Sequence, residues 1–252
     1  MRTRVLALLL GTAAAIVLLF LLRDLPWPVR AFTVFLLVPM PALALNQAHA
    51  LKRLDPHNLP RAGLYASSVV TLWLLAGGMV VAAAYGRFTP RLIGLTWLRA
   101  DLLLAWTVFA LGAALALYAL GRYFGLTESH LLMHLLPQTA REKFAFVFLS
   151  ITAGICEELV FRGFLISALT VTWGTAAALV ISSALFGLLH AYQGAAGALR
   201  AGALGLALAI PFILSGSLLP SIAAHTLIDL IGGLWLVRHL DPAHGLQVDT
   251  IG

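Results

Sequence analysis

The stretch FAFVFLSITAGICEELVFRGFLISAL, residues 144–169, is apolar over a length that suits a bilayer crossing, yet near its centre it sets Glu157 beside Glu158 and follows them with Arg162. A single helix needs about 20 predominantly apolar residues to traverse roughly 30 Å of hydrocarbon. The stretch therefore predicts a membrane-spanning helix that carries charge where charge is costly.

The rest of the chain is of the same kind. Of its 252 residues 61% are hydrophobic and only 10% charged, too little polar surface to cover a water-facing globule of that size. Apolar runs at 5–22, 31–46, 63–85, 102–120, 144–169, 173–191, 195–214 and 218–237 predict an all-α, polytopic membrane helix bundle of about eight transmembrane helices, forming a single membrane-embedded domain over 1–252. The N-terminal run from Val5 to Leu22 is longer than the apolar part of a usual signal peptide and is expected to be a retained span. Between the fourth and fifth spans, GRYFGLTESHLLMHLLPQTAREK (121–143) is expected to hold an interfacial helix, with Pro137 opening the helix that follows. Pro211 is expected to kink the seventh span.

The formal charge of +6 does not point to nucleic acid, because the basic residues are scattered through short loops. They follow topology instead. Ten lie on the side of the N-terminus (Arg2, Arg4, Lys52, Arg53, Arg61, Arg122, Arg141, Lys143, Arg200 and Arg238) and five on the other (Arg23, Arg30, Arg87, Arg91 and Arg99), which places both termini in the cytoplasm. Arg outnumbers Lys fourteen to two, a bias of GC-rich bacterial genomes, so the expected location is a bacterial inner membrane. The single cysteine, Cys156, allows neither an intrachain disulfide nor a cysteine zinc cluster, and a thiol in apolar surroundings is expected to be inert.

Seven of the ten acidic residues (Asp24, Asp55, Asp101, Glu128, Glu142, Asp241 and Asp249) fall in loops, at span edges or in the tail. Glu157, Glu158 and Asp229 do not. An unpaired charge at the centre of a bilayer helix costs about 2.5–3.5 kcal/mol, so these three with Arg162 would cost on the order of 10 kcal/mol. Glu158 and Arg162, four residues apart, share a helix face and can pair; Glu157, rotated by about 100° from Glu158, is left without that partner. Glue between helices is the bland reading of such a cluster. Two histidines add to it. His190 ends the sixth span in SSALFGLLHAYQG, and His225 lies in the eighth with Asp229 one turn on, where the carboxylate can hold the imidazole tautomer. His49, His57, His130, His134, His239 and His244 lie in loops or near span ends, Phe186 is expected to be a packing aromatic, and Ser182, Ser183 and Ser221 are read as interface hydroxyls. A glutamate, two histidines and an aspartate on three spans can together activate water.

EELVFR (157–162), FGLLH (186–190) and HTLID (225–229) resemble the EExxxR, FxxxH and HxxxN/D motifs of the CPBP family, also called the Abi or CAAX prenyl protease type 2 family. The resemblance covers about 140–237, the expected catalytic core. It implies an intramembrane endopeptidase, with Glu157 as general base on a water, His190 assisting, His225 and Asp229 supporting the oxyanion, and Glu158 and Arg162 holding the base and its helix. The eukaryotic enzymes have Asn where this chain has Asp229, and an ionised Asp cannot donate to an oxyanion. It either carries a proton or accepts from His225 so that an imidazolium does the stabilising.

No cofactor is expected on this reading. The alternatives are a zinc-dependent intramembrane protease with His190, His225 and Asp229 as ligands, a proton or ion transporter using the same polar residues as a relay, and a non-proteolytic scaffold or immunity protein of the same fold. The partners expected are the lipid bilayer and a peptide or protein substrate presented at the membrane.

Overall fold

A computed structural model describes residues 2–51, 53, 59–126 and 129–236; the expectations for Lys52, Asp55, His57, Glu128, Arg238, His239, Asp241, His244, Asp249 and the last residue of the eighth span lie outside them. All regular structure among the described residues is helical. The chain runs through α1 (Arg2–Leu21), α2 (Trp27–Leu37), α3 (Pro39–Leu51), α4 (Arg61–Tyr85), α5 (Ala100–Tyr123), the short α6 (His130–Leu135), α7 (Ala140–Glu157), a π-helical segment (Glu158–Ile166), α8 (Ser167–Leu189), a 3₁₀ turn (Ala191–Gln193), α9 (Gly194–Ser215) and α10 (Leu219–Ile231), which ends in a second π-helical turn (Gly232–Leu236). Among the described residues five continuous helical stretches are long and apolar enough to cross a membrane: Trp27–Leu51, Arg61–Tyr85, Ala100–Tyr123, Ala140–Leu189 and Ala191–Ser215. The protein is a polytopic, integral membrane helix bundle.

The longest stretch, Ala140–Leu189, is two segments rather than one. Gly174 breaks α8 with φ 77° and ψ 163°, a conformation that glycine alone adopts readily. Beyond it the chain doubles back: Ser182 Oγ donates to the Phe161 carbonyl at 2.9 Å, and the Phe161 and Phe186 rings meet edge to face at 5.3 Å. This is the joint expected between the fifth and sixth runs. The second run differs from expectation, because Val38 and Pro39 divide Trp27–Leu51 into α2 and α3; a proline there removes a backbone donor and crowds the turn before it. The role given to Pro137 also needs correction. α7 opens at Ala140 on a capping box, in which Thr139 Oγ1 accepts from Glu142 N at 3.2 Å and Glu142 Oε2 accepts from Thr139 N at 3.0 Å. Pro211 lies buried inside α9.

The loops gather at two ends. At one, Arg61 Nε donates to the His134 carbonyl at 2.6 Å, Tyr65 Oη to that of Leu135 at 2.5 Å and Arg200 to that of Leu126 at 3.4 Å, and Arg61 lies 3.8 Å from Glu142. At the other, Ser167 Oγ donates to the Leu92 carbonyl at 2.9 Å, and Thr96 and Ser217 exchange hydroxyl bonds with the facing main chain at 2.7 Å each. Segments an even number of crossings apart thus meet at the same end, as an up-and-down bundle requires.

Helices packed in lipid gain little from hydrophobic transfer and depend on close contact of small residues. Gly154 supplies one such contact between α7 and α10. A Cβ there would collide with Thr226 Oγ1 and stand 3.1 Å from the Ile222 carbonyl oxygen. Gly154→Ala is therefore expected to destabilise the bundle by about 1–3 kcal/mol, the usual cost of overpacking. Thermal unfolding in detergent reads this as a lowered midpoint, against a Gly112→Ala control whose added Cβ meets nothing within 4 Å.

Candidate active site

α7 carries Glu157 seventeen residues beyond Ala140, about 25 Å along the helix. At that point the backbone widens. Glu158–Ile166 is π-helical, with one more residue per closed turn, and π segments of this kind often mark functional sites. Every side chain from Val160 to Ile166 is buried, as is Glu158, so Arg162 has no route to water.

The expected ion pair is present. Arg162 donates to Glu158 Oε1 at 2.8 Å, with the two side chains 1% and 0% exposed. The guanidinium also donates to the Gly205 carbonyl at 3.2 Å and lies over the Phe186 ring at 4.4 Å. Phe186, expected to be a packing aromatic only, thus sits at the hub of the cluster, its ring 4.6 Å from that of His190 and 6.0 Å from that of His225.

His225 departs from its expected partner. Its Nδ1 is 2.7 Å from Glu158 Oε1, while Asp229 Oδ2, on the same face of α10, stays 3.9 Å from Nε2 and outside hydrogen-bond range. The reason is tertiary: α10 packs on α7, and the ring turns Nδ1 across that interface toward a carboxylate already fixed by Arg162. Since a carboxylate accepts, Nδ1 carries the proton and Nε2 is left for the cavity side. There Nε2 has Glu157 Oε2 at 3.9 Å and Asp229 Oδ2 at 3.9 Å.

His190 closes α8, and its Nδ1 lies 2.8 Å from the Phe186 carbonyl. A carbonyl can only accept, so here too Nδ1 is the donor, and Nε2 is left as an acceptor when the ring is neutral. Glu157 Oε2 is buried and has no hydrogen-bond partner, as has Glu158 Oε2. Glu157, His190, His225 and Asp229 line one cavity of about 1310 Å³, whose other walls, including Leu64, Leu72, Leu111 and Leu132, are mostly apolar. It can admit an extended peptide segment with bulky apolar groups.

Cys156 is fully buried, away from the cavity wall. Ser182 and Ser221 donate to main-chain carbonyls of neighbouring segments at 2.9 and 2.7 Å. Among the described residues no three of His, Cys, Asp and Glu are arranged to hold a metal ion, and this includes His190, His225 and Asp229. Tyr192, which the sequence reading passed over, also lines the cavity.

Residues 139–231 match the family model for type II CAAX prenyl endopeptidases, Rce1-like. The match begins at the Thr139 cap of α7, ends at the last residue of α10 and encloses the whole polar cluster. No curated protein and no solved structure matches the chain.

Proposed function

We propose that this chain, a member of the CPBP (CAAX protease) family through residues 139–231, is an intramembrane endopeptidase that hydrolyses a peptide bond with a water activated by Glu157. The observation that carries the reading is the buried Glu157 Oε2, without a hydrogen-bond partner, 3.9 Å from His225 Nε2 on the wall of a cavity that His190 and Asp229 share.

The water binds between Glu157 and His190 Nε2. Glu157 takes one of its protons as the oxygen attacks the scissile carbonyl, a step in which general base catalysis contributes typically 10²–10⁴-fold. The carbonyl oxygen, now an anion, is met by His225 Nε2–H, with the ring acting as an imidazolium. Asp229 faces that nitrogen and offsets its charge. When the C–N bond breaks, the proton held by Glu157 passes to the leaving amine, and the water oxygen remains in the new carboxyl group. Glu158 and Arg162 touch no substrate; they fix the ring of His225 through Nδ1.

The step uses no metal. Dialysis against a chelator is expected to leave peptide cleavage unchanged in a purified sample, as judged by rate on a quenched-fluorescent peptide panel with zinc measured in parallel. Loss of the rate together with stoichiometric zinc, and its return on adding zinc, would convert the reading to a zinc protease. pH-driven ion flux in proteoliposomes without peptide cleavage would convert it to a transporter.

The bundle end that holds Arg61, Arg122, Arg141, Lys143 and Arg200 faces the cytoplasm of a bacterial cell in this reading, by the excess of basic residues there. A cysteine placed at exposed Arg122, in a Cys156→Ala background, is expected to resist membrane-impermeant thiol reagents in whole cells and to react after lysis. Labelling in intact cells would reverse the orientation.

A further inference from the structure

The reaction as derived has one charged donor at the oxyanion, His225 Nε2, and transition-state anions of acyl transfer are commonly held by more than one. Asp229 cannot be the second while ionised, since a carboxylate only accepts. His190 Nδ1 is spent on the Phe186 carbonyl. Among other cavity-lining hydroxyls, those of Tyr65, Ser67, Thr71 and Ser150 donate to main-chain carbonyls.

Tyr192 stands apart from these. It sits on the 3₁₀ turn Ala191–Gln193 directly after His190, with its ring 6.0 Å from the imidazole. Gln193 Nε2 donates to the phenol oxygen at 3.0 Å. That bond occupies a lone pair and turns the O–H away from Gln193, and a hydroxyl that accepts becomes a stronger donor in turn. The turn is held in place by the Gln193 N–H bond to the His190 carbonyl at 2.9 Å and by Gly194, whose φ of 82° lets α9 start immediately afterwards. Tyr192 lines the same cavity as Glu157, His225 and Asp229.

We infer that Tyr192 is a further catalytic residue, whose phenol O–H is the second hydrogen-bond donor to the oxyanion formed in the cavity. This rests on the endopeptidase reading. No proton is transferred in this step: the O–H stays on the phenol and lends only a hydrogen bond, which strengthens as negative charge builds on the carbonyl oxygen. Tyr192 thereby supplies the neutral donor that Asp229 does not.

The test is Tyr192→Phe, which keeps the ring beside His190 and removes only the hydroxyl. Losing an oxyanion donor costs about 10²–10³-fold, so kcat on a cleaved peptide is expected to fall by about 10²-fold with KM unchanged. The affinity for a phosphinic peptide, whose tetrahedral centre mimics the intermediate, should fall by a similar factor. Gln193→Met, which leaves the phenol but not the bond that orients it, is expected to lower kcat by less, and the double variant to be no worse than Tyr192→Phe alone. Wild-type kcat in Tyr192→Phe while Glu157→Gln is inactive would overturn the inference and leave the protease reading standing. A fall in kcat with phosphinic-peptide affinity unchanged would overturn it too, as would a fall matched by a lowered thermal midpoint with additive effects of the two variants. Absence of cleavage by the wild-type protein across the panel would remove the protease reading and the inference with it.

Discussion

Glu157→Gln is expected to lower peptide cleavage by roughly 10²–10⁴-fold, the span of general base catalysis, while the protein keeps its abundance and thermal midpoint. Gln fills the same volume, so no cavity opens. The replaced Oε2 has no hydrogen-bond partner to lose, and its one close polar neighbour, His225 Nε2, is 3.9 Å away. What Gln lacks is the ability to take a proton from water. Because Oε2 makes no hydrogen bond and its contact with His225 is a long one of 3.9 Å, the amide removes little that holds the bundle together, which is why the largest functional effect falls on a residue with so small a structural one. Cleavage by Glu157→Gln at the wild-type rate would remove the residue from the mechanism.

Arg162→Met is expected to show the opposite pattern: a large loss of stability, with activity lost alongside. The guanidinium meets Glu158 Oε1, the Gly205 carbonyl and the Phe186 ring at once, in a place 1% exposed. Removing one partner of a buried ion pair strands the other charge and costs about 3–5 kcal/mol. Arg162→Lys should rescue little, because a point-like ammonium cannot serve both acceptors and lie flat on the ring. Replacing both partners by apolar residues, Glu158→Leu with Arg162→Met, should restore much of the stability. It should not restore cleavage, since His225 then has nothing at Nδ1 to fix its ring. Thermal unfolding in detergent and turnover on the same samples separate the two effects; recovery of both together would mean that the pair only holds the fold.

The bundle was legible because each crossing writes itself locally, as an apolar run bounded by polar or proline-containing joints. The polar cluster was legible for a related reason. In so apolar a chain the few buried charges stand out, and i,i+4 spacing pairs Glu158 with Arg162 without tertiary knowledge. The same arithmetic misled for His225, where a same-face neighbour, Asp229, was preferred to Glu158, a residue 67 positions away that only the packing of α10 on α7 brings to 2.7 Å. The π-helical segment was hidden as well, because its register follows from what surrounds the helix rather than from its own residue types. Tyr192 was hidden because a tyrosine after a span end is ordinary until the turn carrying it is seen to fold over a cavity. The capping box at Thr139 and Glu142 is different: its T-x-x-E pattern was present in TARE (139–142), and Pro137 drew attention from it.

The most direct test of the central claim is a structure of the protein with a bound phosphinic peptide. The account predicts one phosphinate oxygen within hydrogen-bond distance of the Glu157 carboxyl group, where the attacking water would sit, and the other against His225 Nε2, with no metal between them. A phosphinate seated elsewhere in the cavity, or bound through a metal ion held by His190, His225 and Asp229, would contradict it.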